Sequence, residues 1–178
     1  MLNFESFFDL KKPILEYNDQ EAKEILNLLK SNYRNRRIIL TKDEFTPKTI
    51  PHHQQQTRAK PKGTWYSLGE YWARWLTSEM PHWWGNYNNV YMLDLDYSKI
   101  LRINNEAKMN AFVNEYQMDE YTVDWDYVTQ DYSGIEIIPM VWGKRNPYWY
   151  GGWDIPSGCI WDEDAIKGVK KIAETTPL

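Results

Sequence analysis

The sequence holds a single cysteine, Cys159, and only three histidines. One thiol makes no internal disulfide, so a reducing compartment, the cytoplasm, is the expected location. With so few soft ligands, a zinc site of the usual composition is not expected and no metal is assigned. No apolar run of about 18 residues occurs, which argues against a membrane-spanning helix. The first nine residues, MLNFESFFD, lack the basic start and long apolar stretch of a secretory signal. Positive charge is not in excess either. Lys and Arg number 21 against 25 Asp and Glu, a formal charge of -4, which speaks against electrostatic coating of nucleic acid while leaving room for local basic patches. No internal repeat and no linker interrupts the 178 residues, and that length suits one domain, 1–178, with one core.

Aromatic side chains are what the chain has in abundance. There are 10 Trp and 13 Tyr, and aromatics reach 16% of the residues. Large rings build the cores of small domains, but these are too many and too clustered to serve the core alone.

Asn18 to Glu21 reads as a helix start, and Ala22, Ile25, Leu26, Leu29 and Tyr33 then recur at helical spacing. The pattern predicts an N-terminal helix over 18–34, with Arg34, Arg36 and Arg37 as cations suited to its C-terminal end. Residues 38–40, Ile-Ile-Leu, predict a buried strand. From 41 to 62 nothing is periodic. That segment carries Pro47, Pro51, Pro61, His52, His53 and five basic residues, and it is expected to be a long loop, either a lid or disordered. The core is expected over 63–173.

Within that core, GTWY at 63–66 predicts a strand, and SLGE at 67–70 predicts a capping box opening a helix. The helix would bury Leu68, Tyr71, Trp72, Trp75 and Leu76 and end at Pro81. Residues 90–96 alternate as a strand with Tyr91, Leu93 and Leu95 on one face, and KILRI at 99–103 continues as another. Helices are predicted over 105–116 and 124–131, and a strand over 134–139. GCIW at 158–161 is expected to be the last strand, followed by a final helix capped by Asp162 with Ala165, Ile166, Val169 and Ile172 inward. The sum is α+β, helices around a mainly antiparallel sheet.

Three stretches resemble the ADP-ribosyltransferase fold. KPKGTWYS at 60–67 looks like that family's second core strand. Residues 90–103 look like the paired strands that follow, and YSGIEI at 132–137 with GCIWD at 158–162 looks like the closing strands. The resemblance implies a split sheet and NAD as cofactor. It also implies an Arg or His on the first strand to hold NAD and a catalytic Glu at the start of the last strand pair. Residues 38–42 offer neither Arg nor His, leaving Lys42, His52 or His53 as substitutes, and the Glu position falls at Ser157.

Transfer of ADP-ribose breaks the nicotinamide–ribose bond with oxocarbenium character, so a carboxylate must lie near the ribose. Glu136 or Asp154 is the candidate catalytic group. Glu136 lies mid-strand between two isoleucines, and Asp154 lies in an aromatic setting where Arg145 or Lys144 would pair with it. For the cofactor, Tyr66 would stack on nicotinamide, Ser67 would position ribose, and Lys42 and Ser157 would complete the site. Each has an ordinary alternative: Tyr66 as a core tyrosine, Ser67 as a helix cap. Cys159 reads as inert core, and the two adjacent histidines read as surface.

The aromatic stretch 142–153, with Trp142, Arg145, Trp149 and Trp153, is a candidate partner-binding surface. The expected function is therefore an NAD-dependent ADP-ribosyltransferase modifying a host protein or nucleic acid, of a kind the resemblance associates with phages and mobile elements. Two alternatives stay open. One is a non-enzymatic domain of the same fold that blocks a partner, and the other is a nucleic-acid or sugar binder.

Overall fold

The computed structural model describes residues 19–50, 55–144 and 148–175. In chain order the helices are α1 (Asp19–Asn32), α2 (Tyr71–Glu79), α3 (Glu106–Tyr116), α4 (Trp125–Val128) and α5 (Tyr148–Gly151). The strands are β1 (Arg37–Thr41), β2 (Thr57–Arg58), β3 (Thr64–Leu68), β4 (Asn89–Leu95), β5 (Ile100–Ile103), β6 (Val123–Asp124), β7 (Gly134–Ile137), β8 (Ser157–Ile160) and β9 (Ile166–Glu174). Seven of them form one sheet in the order β5-β7-β8-β3-β1-β4-β9, antiparallel except for the parallel pair β5 and β7. β2 and β6 form a separate two-stranded ribbon. The chain is α+β, as the sequence predicts.

Strand alternation splits the core between the two faces of the sheet. On one face, α1 and α2 cover Ile38, Leu40 and Val90 with Ala22, Ile25, Leu29, Ala73 and Leu76. Beside them α3, α4 and α5 cover Ile103, Ile135, Ile137 and Cys159, with Trp125, Trp149 and Trp153 in the same cluster. The opposite face carries Ile39, Tyr66, Tyr91, Leu93 and Ile160, and irregular segments bearing Phe45, Ile50 and Ala165 close it.

The final helix is corrected. Residues 166–174 form β9, which pairs with β4 along its length. Ile166, Val169 and Ile172 fit a helical stripe, but Val169 and Lys171 sit opposite Leu93 and Tyr91, and pairing with an exposed sheet edge outweighs the weak periodicity. Asp162 still caps, its side chain accepting from the Asp164 N–H of a single 3-10 turn. GCIW is accordingly not the last strand. The segment 41–62 is not structureless either, for it contains a 3-10 turn at Pro47–Thr49 and strand β2. His52 and His53 lie outside the described residues.

Candidate functional site

β8 lies between β7 and β3, so it determines which side chains meet across the centre of the sheet. Arg102 on β5, Glu136 on β7, Gly158 on β8 and Tyr66 on β3 stand in one transverse row. Gly158 is required there, since a Cβ would land on the Tyr66 ring and its hydroxyl. The Tyr66 phenol therefore lies across the glycine and its hydroxyl donates to Glu136 Oε2 at 3.2 Å.

Glu136 is 1% exposed. Arg37 grips both its oxygens, Nε to Oε2 at 2.8 Å and Nη2 to Oε1 at 2.7 Å, and Arg102 Nε adds a longer contact at 3.4 Å. The Tyr97 ring stands 5.2 Å from the Arg37 guanidinium and 4.4 Å from that of Arg102. Burial and the Glu136 charge push the Tyr66 hydroxyl pKa well up. Burial opposes the charge on Arg37, but the hydrogen bond and charge of Glu136 outweigh it and leave its pKa raised. A carboxylate so enclosed and neutralised is a structural ion pair. Glu136 does not line an open cleft as expected of a catalytic group, and Tyr66, fully buried, holds it rather than offering a free ring face to a ligand.

The opposite, helix-covered face bears the open crevice. Pairing continues beyond β8, where the Pro156 carbonyl accepts from Leu68 N–H. Ser157 is thereby laid opposite Ser67, and the Trp153 ring meets Trp65. The crevice, about 280 Å³, is lined by Trp65, Tyr66 and Trp153, by Asp154, Ile155 and Ser157, by Trp72 and Trp75 of α2, by Trp83 and Tyr87, and by Lys60. Trp65 and Trp153 meet edge to face at 4.9 Å, Trp72 and Tyr87 at 5.9 Å, and Trp75 and Trp83 at 6.4 Å. Lys60 Nζ sits 5.4 Å above the Trp65 ring. Among the described residues, Asp154 is the one carboxylate lining this crevice.

The expected residues divide as follows. Asp154 and Ser157 reach the crevice, Tyr66 contributes to its lining although it is fully buried, and Ser157 stands directly opposite Ser67. Ser67 is buried, and its Oγ accepts from the Trp72 N–H at 3.1 Å, holding the start of α2. The capping box itself is not formed: Glu70 occupies the N-cap position without a side-chain bond. Ser157 Oγ donates to the Ile155 carbonyl at 2.8 Å. Lys42 is exposed beside Glu44 and Phe45, in neither the crevice nor the Glu136 cluster. Burial raises the pKa of the Cys159 thiol well above its ordinary value, consistent with an inert core cysteine.

The partner-binding stretch is corrected in part. Trp149 and Trp153 are 1% exposed, with Trp149 packed on Phe112 and Trp125, so neither offers a free surface. Trp142 is 63% exposed. Arg145 lies outside the described residues. Tyr121 and Tyr148, both exposed, stack at 4.7 Å.

Arg37 is the principal residue that sequence reasoning missed, because its place after a helix explains it as a C-terminal cation. Its other neighbour, the β-branched strand, was the usable signal. Leu76 is buried as the helix pattern predicts, joined by Ala73, while Trp72 and Trp75 pack half-buried against that cluster and line the crevice.

Comparison with protein-family models, curated proteins and solved structures finds no match to this chain. Among the described residues no helix is long and apolar enough to cross a membrane, and no group of three or more His, Cys, Asp or Glu side chains is placed to hold a metal ion.

Proposed function

We propose that the chain is an ADP-ribosyltransferase-like domain that takes the nicotinamide end of NAD into the tryptophan-walled crevice beside β3. The observation that carries this reading is one juxtaposition. Ser157, at the position where the resemblance puts the family's catalytic carboxylate, lines the same crevice as Asp154, Trp65 and Trp153. The four strands that the resemblance makes central, the first, the second and the closing pair, would be β1, β3 and β7 with β8, which are neighbours in the sheet.

The volume suits one ring and its sugar rather than a whole dinucleotide, so the adenosine end would lie outside. Trp65 replaces Tyr66 as the stacking ring. Asp154 replaces Glu136 as the carboxylate that stabilises positive charge on the ribose as the C–N bond breaks. The bonding pair would go to the ring nitrogen, neutral nicotinamide would leave, and the acceptor's nucleophile would bond the ribose carbon and release its proton to water. The setting would be the cytoplasm, and the acceptor a host protein or nucleic acid, as the resemblance to phage enzymes and effectors implies.

Incubation with labelled NAD and a cell lysate tests this. Label transfer or nicotinamide release is expected from the wild type, is lost in Asp154→Asn and persists in Tyr66→Phe. Absence of turnover in the wild type would overturn the enzymatic reading.

A second reading, binding without turnover, is favoured by the exposed Tyr121–Tyr148 stack and Trp142. Exposed rings of this kind anchor protein interfaces. A stable partner recovered from the same lysate, with no label transferred, would support it.

A further inference from the structure

The walls of the crevice are mostly π surface, and the group already resting on them is a cation. Lys60 Nζ stands 5.4 Å above Trp65. Among the described residues no ion pair is formed by Lys60, so the ring is its evident partner. Its stem passes Gly152, where a Cβ would stand 3.1 Å from Lys60 Cε and 3.5 Å from Nζ. Asp154 adds a negative charge to the same lining. Aromatic faces carry negative quadrupole density, and a set of them meeting edge to face with a carboxylate nearby selects positive charge over neutral apolar groups of similar shape.

We infer that the crevice is an organic-cation site, in which a permanently charged N-alkylpyridinium or quaternary ammonium group displaces Lys60 from Trp65. Lys60 is the internal competitor. Its ammonium is compact and strongly hydrated, whereas a quaternary or ring nitrogen loses less hydration on entering a cage of rings. The inference uses the same crevice as the NAD reading but requires neither a dinucleotide nor catalysis.

Tryptophan fluorescence titration of the full chain tests it with four probes. N1-methylnicotinamide and tetramethylammonium carry the charge, and nicotinamide and neopentyl alcohol are their neutral counterparts. At least one charged probe is expected to bind about tenfold more tightly than its neutral counterpart. Lys60→Met keeps an apolar stem and removes the competing charge, so it should tighten that probe severalfold. Asp154→Asn should weaken the charged probe and leave the neutral ones unchanged.

A lead for the pyridinium points to a nicotinamide-type ligand, and a lead for tetramethylammonium points to a methylated amine. Equal affinity for charged and neutral probes, no binding of any probe, or a Lys60→Met variant with unchanged or weaker affinity would overturn the inference. The two proposals fail separately. Charged probes that bind where NAD does not would end the NAD reading alone, and NAD binding with no charge preference among the small probes would end this one alone.

Discussion

The Tyr66 hydroxyl reaches Glu136 Oε2 at 3.2 Å across a strand that places only Gly158 between them. One absent side chain thus lets a buried tyrosine share a carboxylate with Arg37 and Arg102, and the network spans from β1 to the β5 edge of the sheet. That network separates a structural acid, Glu136, from the acid in the open crevice, Asp154.

Removing Arg37 should expose this dependence. Arg37→Met leaves Glu136 buried with only the longer Arg102 contact and the Tyr66 hydroxyl, and breaking a buried pair in this way costs about 3–5 kcal/mol. Urea unfolding should show that loss as a lower midpoint with an unchanged slope.

Gly158→Ala should destabilise by about 1–3 kcal/mol, because the added methyl meets the Tyr66 ring and the Ile135 carbonyl. Gly151→Ala is the control. No atom lies within 4 Å of a Cβ there, so thermal melting should be unchanged or slightly raised.

Alkaline pH should weaken the fold through Tyr66. Its pKa in the folded state is raised by burial and by Glu136, so the protonated phenol is favoured on folding. The stability it contributes is fully present below the unfolded tyrosine value of about 10 and is lost as pH rises from there through the folded pKa. Tyr66→Phe forfeits the hydrogen bond to Glu136, about 1 kcal/mol near neutrality, but does not ionise. Its deficit against the wild type should therefore shrink above pH of about 10, and parallel stability curves would contradict this.

Trp149→Ala and Trp142→Ala should separate core from surface. The first empties a site at the centre of the α3–α5 cluster and should cost about 3–5 kcal/mol. The second removes an exposed ring and should leave the melting temperature within error, with any effect confined to capture of a partner.

Much of the sheet was legible because its strands carry local signals. The alternation around Tyr91, Leu93 and Leu95 and the glycine before Ile135 place β4 and β7 well. The C-terminal strand was not legible. Ile166, Val169 and Ile172 suit a helix equally, and only pairing with β4, whose partner residues lie 71 to 85 positions earlier, decides the matter. The site was legible in its parts but not in its sides. GTWYS forms β3 beside the crevice, yet which sheet face the Trp65 and Tyr66 rings take depends on which face the helices cover, a long-range fact. Glu136 and Asp154 looked equivalent as acids because Arg37, 99 positions from Glu136, is invisible as its partner in the sequence.

On the proposed reading, NAD would enter from the helix-covered face, against Trp65. Calorimetric titration of NAD into the wild type, Trp65→Leu and Tyr66→Phe tests it most directly. Saturable binding should appear in the wild type and in Tyr66→Phe and vanish in Trp65→Leu. No binding to the wild type, or a loss in Tyr66→Phe with Trp65→Leu unaffected, would contradict it.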